Sequence, residues 1–180
     1  SRDMNNDTKP VGLALTHMWV AFIVFLLAAV LGFYQVLEFF DESRVLVAAQ
    51  ALGTAQGAFD RALAYVKQRE QFGRPICSFQ AIQWKIADMA TRLDAARLLT
   101  YRAAWAHDNS DRCSTEASIA KLFASEACTR AAKEAVQIHG GYGYTKEYPV
   151  EKLYRDAKIG TIYEGTSNMQ LQTVAKILLK

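Results

Sequence analysis

Three polar clusters interrupt an otherwise apolar chain, and each contains residues that could bind or transform a ligand. Residues 69–74 (REQFGR) put cations at an expected helix end, where they could pair with an anion or only complement the helix dipole. Residues 137–143 (QIHGGYG) contain glycines that let a backbone approach a ligand, although such glycines are also common C-caps. Residues 162–167 (IYEGTS) set the carboxylate of Glu164 before a helix start, where the dipole alone would favour an acid. Taken singly, each cluster is compatible with a structural role.

Apolar periodicity predicts the helices that must position these clusters. Residues 45–71 repeat apolar side chains at three- and four-residue spacing, and this helix should end at Gly73-Arg74-Pro75. A second helix is predicted from Phe79 to about Ala106, with Ser78 as its N-cap. Its apolar seam steps by three and four residues, which is typical of helices that pack against other helices.

The remaining segments complete an all-α prediction. Residues 107–111 read as a polar turn, and an alanine-rich helix is predicted over about 115–138. Pro149 suits the first turn of a short helix, and Thr166 or Ser167 can cap the last one. No segment shows the two-residue period of a strand, so the sequence predicts an antiparallel helical bundle.

Charge and cysteine content exclude several function classes. The net charge is only +3 and no Lys/Arg cluster is present, so a nucleic-acid partner is not expected. The three cysteines and three histidines have no metal-ligand spacing, so neither a metal site nor a disulfide framework is expected.

A long uncharged segment precedes the bundle. After a polar tail at residues 1–10, residues 11–31 form an apolar run that, as a helix, would be about 30 Å long, the thickness of a bilayer core. This favours a membrane-spanning helix over a cleaved signal peptide, and the alternative is a buried or junction helix. The expected localisation depends on this segment. The protein would be membrane-associated if residues 11–31 span a bilayer, and otherwise cytoplasmic or in the mitochondrial matrix.

The three clusters, taken in order with their surroundings, resemble one known family. The motifs RxxFG, QIxGGxGY and IYEGTS occur together, with GFYQVLEFFDESR and FQAIQWKIADM between or before them. Residues 32–180 are therefore similar to the C-terminal helical domain of the acyl-CoA dehydrogenases. The resemblance implies FAD as cofactor and oxidation of the Cα–Cβ bond of an acyl-CoA thioester to the trans-enoyl-CoA.

The resemblance also implies roles for individual residues. Glu164 matches the catalytic base, whose backbone N–H would also bind the thioester oxygen. The expected substrate contacts are Asp41, Arg44, Tyr163 and Gly165. The expected FAD contacts are Arg69, Gln71, Phe72, Gln80, Gln137, Gly140, Gly141, Thr166 and Asn168. Ser43 stands where isovaleryl- and long-chain-type relatives carry their base; it cannot serve as one, which favours a short-, medium- or branched-chain substrate.

The family pattern places an N-terminal helical domain and a β domain before this bundle, and neither is found in the sequence. We therefore expect either a truncated form of the enzyme or a subunit of an assembly. That assembly would be a homo-oligomer (dimer or tetramer) or would contain another chain that supplies the two domains. Electron-transferring flavoprotein is the redox partner by analogy. The alternative function is a non-catalytic, membrane-anchored helical assembly module.

Overall fold

The computed structural model describes residues 9–110 and 112–179, with side chains from residue 16 onward except those of residues 37 and 38. Five α-helices lie in this part of the chain: α1 (Lys9–Gln68), α2 (Gln80–Asn109), α3 (Ser114–His139), α4 (Val150–Ile159) and α5 (Ser167–Leu178). Two short 3-10 helices cover Ile76–Ser78 and Gly140–Tyr144. The predicted all-α class is confirmed. The chain divides into two units, residues 1–39 and 40–180, and each is described by itself.

The first unit presents large apolar side chains on its described surface. Trp19, Phe22 and Phe25 are all more than half exposed, and the Trp19 and Phe22 rings meet edge-to-face at 6.2 Å between centroids. The helical stretch Thr16–Gln68 is long and apolar enough to cross a membrane, and none of its most apolar window is buried. Signal sequences and core helices can meet the same criteria of length and composition, so membrane crossing stays a prediction. Most of the predicted polar tail lies outside the described residues.

The core of the second unit is built mainly from alanine. Small side chains let helices approach closely, and gaps between them are filled by Val66, Met89 and Leu93, each at most 3% exposed. The alanine-rich helix predicted over about 115–138 packs Ala120, Ala127, Ala131 and Ala135 into this core, with Phe123 packed against it. The alanines that are at most 1% exposed are Ala48, Ala55, Ala58, Ala62, Ala96, Ala103, Ala117, Ala120, Ala124, Ala132 and Ala135.

The prediction that no strand occurs was wrong at the link between α1 and α2. Helix α1 ends at Gln68, and two antiparallel strands follow, β1 (Glu70–Gln71) and β2 (Arg74–Pro75), paired in the register Glu70↔Pro75 and Gln71↔Arg74. Phe72 (φ 55°) and Gly73 (φ 76°) form the turn, and both have the positive φ of a primed hairpin turn. Strands of two residues carry no periodic signal, which is why the sequence did not reveal them.

Several predicted helix boundaries were also wrong. The helix predicted over residues 45–71 belongs to α1, which spans Lys9–Gln68 and so ends before the predicted stop at Gly73. Phe79 occupies the N-cap position of α2 without a side-chain hydrogen bond, while the Ser78 hydroxyl donates to the Pro75 carbonyl at 2.7 Å. Residues 107–109, predicted as part of a polar turn, continue α2. The prediction for the last helix is confirmed: Thr166 is the N-cap of α5, and its Oγ1 accepts a hydrogen bond from the Met169 N–H at 3.4 Å.

Candidate functional site

The carboxylate of Glu164 lies on a left-handed turn between α4 and α5. Residues 163–166 are called the Glu164 turn here, and its two central residues have φ of 52° (Glu164) and 86° (Gly165). The left-handed conformation is unfavourable for a residue with a side chain, so the surrounding structure must hold Glu164 there. The Glu164 side chain is half-buried, and its Oε2 accepts a 2.7 Å hydrogen bond from the Ser43 hydroxyl on α1.

Two fully buried side chains hold the carbonyl groups of this turn. Lys121 on α3 donates from Nζ to the Gly165 carbonyl at 2.6 Å. Gln170 on α5 donates from Nε2 to the carbonyls of Glu164 and Gly165, both at 2.9 Å. Neither residue was predicted from the sequence. One signal was present for Lys121, because it falls in line with Ala117, Ala124 and Cys128 on the alanine-rich face of α3, where a lysine is unexpected.

The expected substrate contacts lie beside this turn or on the nearby part of α1. Arg44 and Asp41 form an ion pair at 3.2 Å, with side chains 16% and 14% exposed, and Ser114 donates a hydrogen bond to the second oxygen of Asp41. The Arg44 Nε is buried and has no hydrogen-bond partner among the described residues. The Tyr163 hydroxyl donates to the Gln50 side chain at 2.6 Å, which ties the turn to α1 a second time.

Burial controls the electrostatics around the Glu164 turn. Loss of hydration lowers the pKa of the Lys121 ammonium, the positive charge of Arg44 lowers it further, and the negative charge of Glu164 opposes both. The Tyr163 phenol has its pKa raised by burial first, and then by Cys128 and Glu164. The site therefore combines a carboxylate, a buried cation and a tyrosine within electrostatic reach of one another.

A second surface gathers five of the expected FAD contacts. Arg69, Gln71, Phe72, Gly140 and Gly141 line an open groove of about 650 Å³, called the Arg69 groove here. Its other walls are largely aromatic or aliphatic, and comprise Tyr65, Ile76, Phe79, Ile82, Ile138, His139, Tyr142 and Thr145.

The composition of the Arg69 groove suits a planar, anionic ligand. The Arg69 guanidinium carbon lies 5.3 Å from the centroid of the Tyr142 ring, and among the described residues Arg69 makes no ion pair with a carboxylate. Its donors can therefore reach a phosphate without breaking an ion pair. Phe72 is 92% exposed at the hairpin turn. Gly140 (φ 62°, ψ −135°) adopts a backbone conformation essentially restricted to glycine.

The other four expected FAD contacts lie elsewhere. Thr166 and Asn168 line a separate open depression of about 710 Å³, whose cations are Arg130, Lys133 and Lys158. Gln80 is the first residue of α2 and Gln137 lies near the end of α3; both are exposed, and neither lines the Arg69 groove. The sequence motifs thus divide between two surfaces of the second unit.

A family model described as "Acyl-CoA dehydrogenase, C-terminal domain" matches residues 31–179. The chain belongs to the acyl-CoA dehydrogenase family. It is 53% identical over 149 residues to the caffeyl-CoA reductase–Etf complex subunit CarC of Acetobacterium woodii, covering 83% of this chain and 39% of that protein. It is 51% identical over 147 residues to the short/branched chain specific acyl-CoA dehydrogenase of Bos taurus, with coverage of 82% and 34%.

Solved structures of the acyl-CoA dehydrogenase family agree with this assignment. The butyryl-CoA dehydrogenase of Megasphaera elsdenii superposes with a TM-score of 0.77 at 50% identity, and the match covers 78% of this chain and 37% of that one. The chain thus spans between a third and two-fifths of the length of these relatives.

Proposed function

We propose that the chain contributes the catalytic base of an FAD-dependent acyl-CoA dehydrogenase that converts an acyl-CoA thioester to the trans-enoyl-CoA. One observation carries this proposal: the Glu164 carboxylate is half-buried on a left-handed turn and is oriented by a 2.7 Å hydrogen bond from Ser43. A general base needs a proton acceptor in a fixed direction, and this arrangement supplies one.

In the proposed reaction the Glu164 carboxylate removes the proton from Cα of the thioester. The hydride that leaves Cβ would need an acceptor, and bound FAD would supply it. The backbone N–H of Glu164 stabilises the negative charge that develops on the thioester oxygen. Ser43 donates to only one of the two carboxylate oxygens, so the other remains available for the proton.

The Arg69 groove supports the FAD part of the proposal. Arg69 would bind the pyrophosphate, Phe72 would pack beside the cofactor, and the backbone at Gly140 and Gly141 would allow close approach. Gln71, Gln80 and Gln137 are proposed as further contacts to the cofactor. Because Thr166 and Asn168 line a different surface, we propose that they contact FAD from the other side or in another copy of the chain.

For the substrate, we propose that Asp41 and Arg44 contact the CoA portion and that Tyr163 and Gly165 border the acyl chain. Among the described residues the buried Arg44 Nε has no hydrogen-bond partner, which supports a ligand contact at the Arg44 guanidinium. A short-, medium- or branched-chain acyl group fits the presence of Ser43 where other relatives carry a base.

A homo-oligomer, or a chain that supplies the domains found in longer relatives, would complete the site. Electron-transferring flavoprotein is the proposed electron acceptor, since one relative is a subunit of an Etf complex.

The test is Glu164→Gln in a complex that binds FAD and acyl-CoA, with the exposed Glu147→Gln as a matched control. A single turnover with saturated acyl-CoA, followed by loss of the flavin absorption band, reports the chemical step. Glu164→Gln should retain binding of both ligands and lose about 10²–10⁴-fold in rate, whereas Glu147→Gln should react at the wild-type rate. Full-speed reduction in Glu164→Gln would remove Glu164 from the mechanism.

We further propose that residues 11–31 associate with a membrane. Their length and the exposed apolar side chains from Trp19 to Leu31 support this. The full chain should then sediment with membranes and resist extraction by alkaline carbonate, while a shortened chain beginning at Phe39 should stay soluble and helical. A full chain that is monodisperse in buffer without detergent would contradict the proposal.

A further inference from the structure

Lys121 is a fully buried lysine in the middle of an alanine-rich helix. Burial of an ammonium group is costly unless hydrogen bonds and opposite charge compensate for the lost hydration. Its neighbours along the same face of α3, Ala117, Ala124 and Cys128, are buried and cannot accept its charge. The Lys121 Nζ is directed instead to the Gly165 carbonyl, 2.6 Å away, and lies within electrostatic reach of Glu164.

Gln170 acts on the same turn from another helix. Its Nε2 donates to the carbonyls of both Glu164 and Gly165, so the Gly165 carbonyl receives one hydrogen bond from α3 and one from α5. The contact is close on the glycine side as well, because a Cβ at residue 165 would lie 2.6 Å from this nitrogen. The Gln170 side chain therefore fits only if residue 165 is a glycine or if the turn moves.

These contacts explain how a glutamate keeps a left-handed backbone. The conformation at Glu164 (φ 52°) is unfavourable for an isolated residue, and it persists only where surrounding contacts fix it. Lys121 and Gln170 fix the carbonyl groups of residues 164 and 165 by hydrogen bonds, while Ser43 contacts the carboxylate itself. The backbone and the side chain of Glu164 are thus held separately.

We propose that Lys121 and Gln170 are positioning residues that hold the Glu164 turn so that the carboxylate of Glu164 can act as a base. They act through the turn, and neither is assigned a contact with substrate or cofactor. This inference rests on the proposed dehydrogenase function. Lys121 lies outside the three motifs that carry the family resemblance, and Gln170 lies three residues after the IYEGTS motif.

The first test uses the full chain without added ligand. Lys121→Met keeps most of the length of the side chain and removes its donors, and Gln170→Met keeps the length and removes the donors of the second contact. The amides of Tyr163 and Ser167, which flank the turn, donate to the Ile159 and Thr161 carbonyls, both at 3.2 Å. Hydrogen exchange at these two amides should become at least about 10-fold faster in each variant, with little change at the centre of α3. Lys152→Met, which removes an exposed lysine of α4, is the control and should leave the turn at its wild-type rate. Unchanged exchange at the turn in both variants would overturn the inference.

The second test separates positioning from binding in the competent complex. Single-turnover flavin reduction should slow on the order of 10- to 100-fold in Lys121→Met and Gln170→Met, because displacement of a reacting group by about 1 Å has effects of this size. The dissociation constants of acyl-CoA and FAD should change less than about 3-fold, whereas general damage to the fold would weaken all of these together. If Lys121→Met does not fold, the same two measurements on Gln170→Met decide the question. If the wild type reduces its flavin and both variants do so at full speed, this inference is wrong and the proposed function stands. If the wild type does not reduce its flavin, the proposed function is wrong, and this inference with it.

Discussion

Gly143 should be less replaceable than Gly141 in the 137–143 motif, because the space beside Gly143 is already occupied. A Cβ at residue 143 would lie 2.6 Å from the Val136 carbonyl oxygen, 2.9 Å from the His139 Cβ and 3.0 Å from the Val136 Cα. Two of these atoms belong to the backbone of α3, which cannot rotate away as a side-chain tip can. The substitution Gly143→Ala must therefore shift either the 3-10 helix Gly140–Tyr144 or the end of α3.

Gly141 offers a matched control in the same 3-10 helix. Apart from its own atoms and those of its two chain neighbours, no atom of the described residues lies within 4 Å of the position that its Cβ would occupy, and its φ lies outside the left-handed range. Gly141→Ala should therefore be neutral or slightly stabilising, by up to about 1 kcal/mol, because alanine reduces the entropy of the unfolded chain. Overpacking of the kind expected at Gly143 typically costs about 1–3 kcal/mol.

Thermal unfolding followed by far-ultraviolet circular dichroism measures the difference. For a chain of this size about 1 kcal/mol corresponds to a change of about 2–4 °C in Tm. Gly143→Ala should thus melt about 2–12 °C below wild type under the same solution conditions, with Gly141→Ala at or slightly above it. Equal Tm values for the two variants would show that α3 yields freely at Val136 and would refute the packing argument.

Three further outcomes are expected. Arg69→Ala should weaken FAD binding by about 1.5–3 kcal/mol in an equilibrium titration of the assembled protein, since it removes a charge-assisted contact; unchanged affinity would mean that Arg69 does not bind the cofactor. Burial lowers the pKa of His139 despite its hydrogen bond to the Ala135 carbonyl. The unfolded chain therefore binds this proton at higher pH than the folded chain, so stability is lost as pH falls below about 6.5. In urea unfolding, His139→Leu should lose less stability than wild type between pH 7 and pH 5. Thr166→Ala should lower the free energy of unfolding by about 0.5–1 kcal/mol through loss of the α5 cap, and Thr166→Ser should recover most of it in the same urea experiment.

The sequence by itself determined the helices and the family. Apolar residues at three- and four-residue spacing depend only on the local chain, so the seams of α2 and α3 and the cap at Thr166 could be predicted without a structure. The motifs around Arg69, Gly140 and Glu164 carried the family assignment in the same way. The two-residue strands of the hairpin escaped because so short a segment has no period, and Ser78 was misplaced because another bond, to Pro75, satisfies its hydroxyl.

Only the tertiary structure decided how the site is held together. Ser43 and Glu164 are 121 residues apart in the chain, and their 2.7 Å hydrogen bond exists because α1 packs beside the turn that precedes α5. The family resemblance described Ser43 only by the base that other relatives carry at its place, whereas the structure shows that its hydroxyl donates to the Glu164 carboxylate. Lys121 and Gln170 likewise became part of the site through packing, since a hydrogen bond between distant segments depends on where their helices meet and leaves no periodic trace in the sequence.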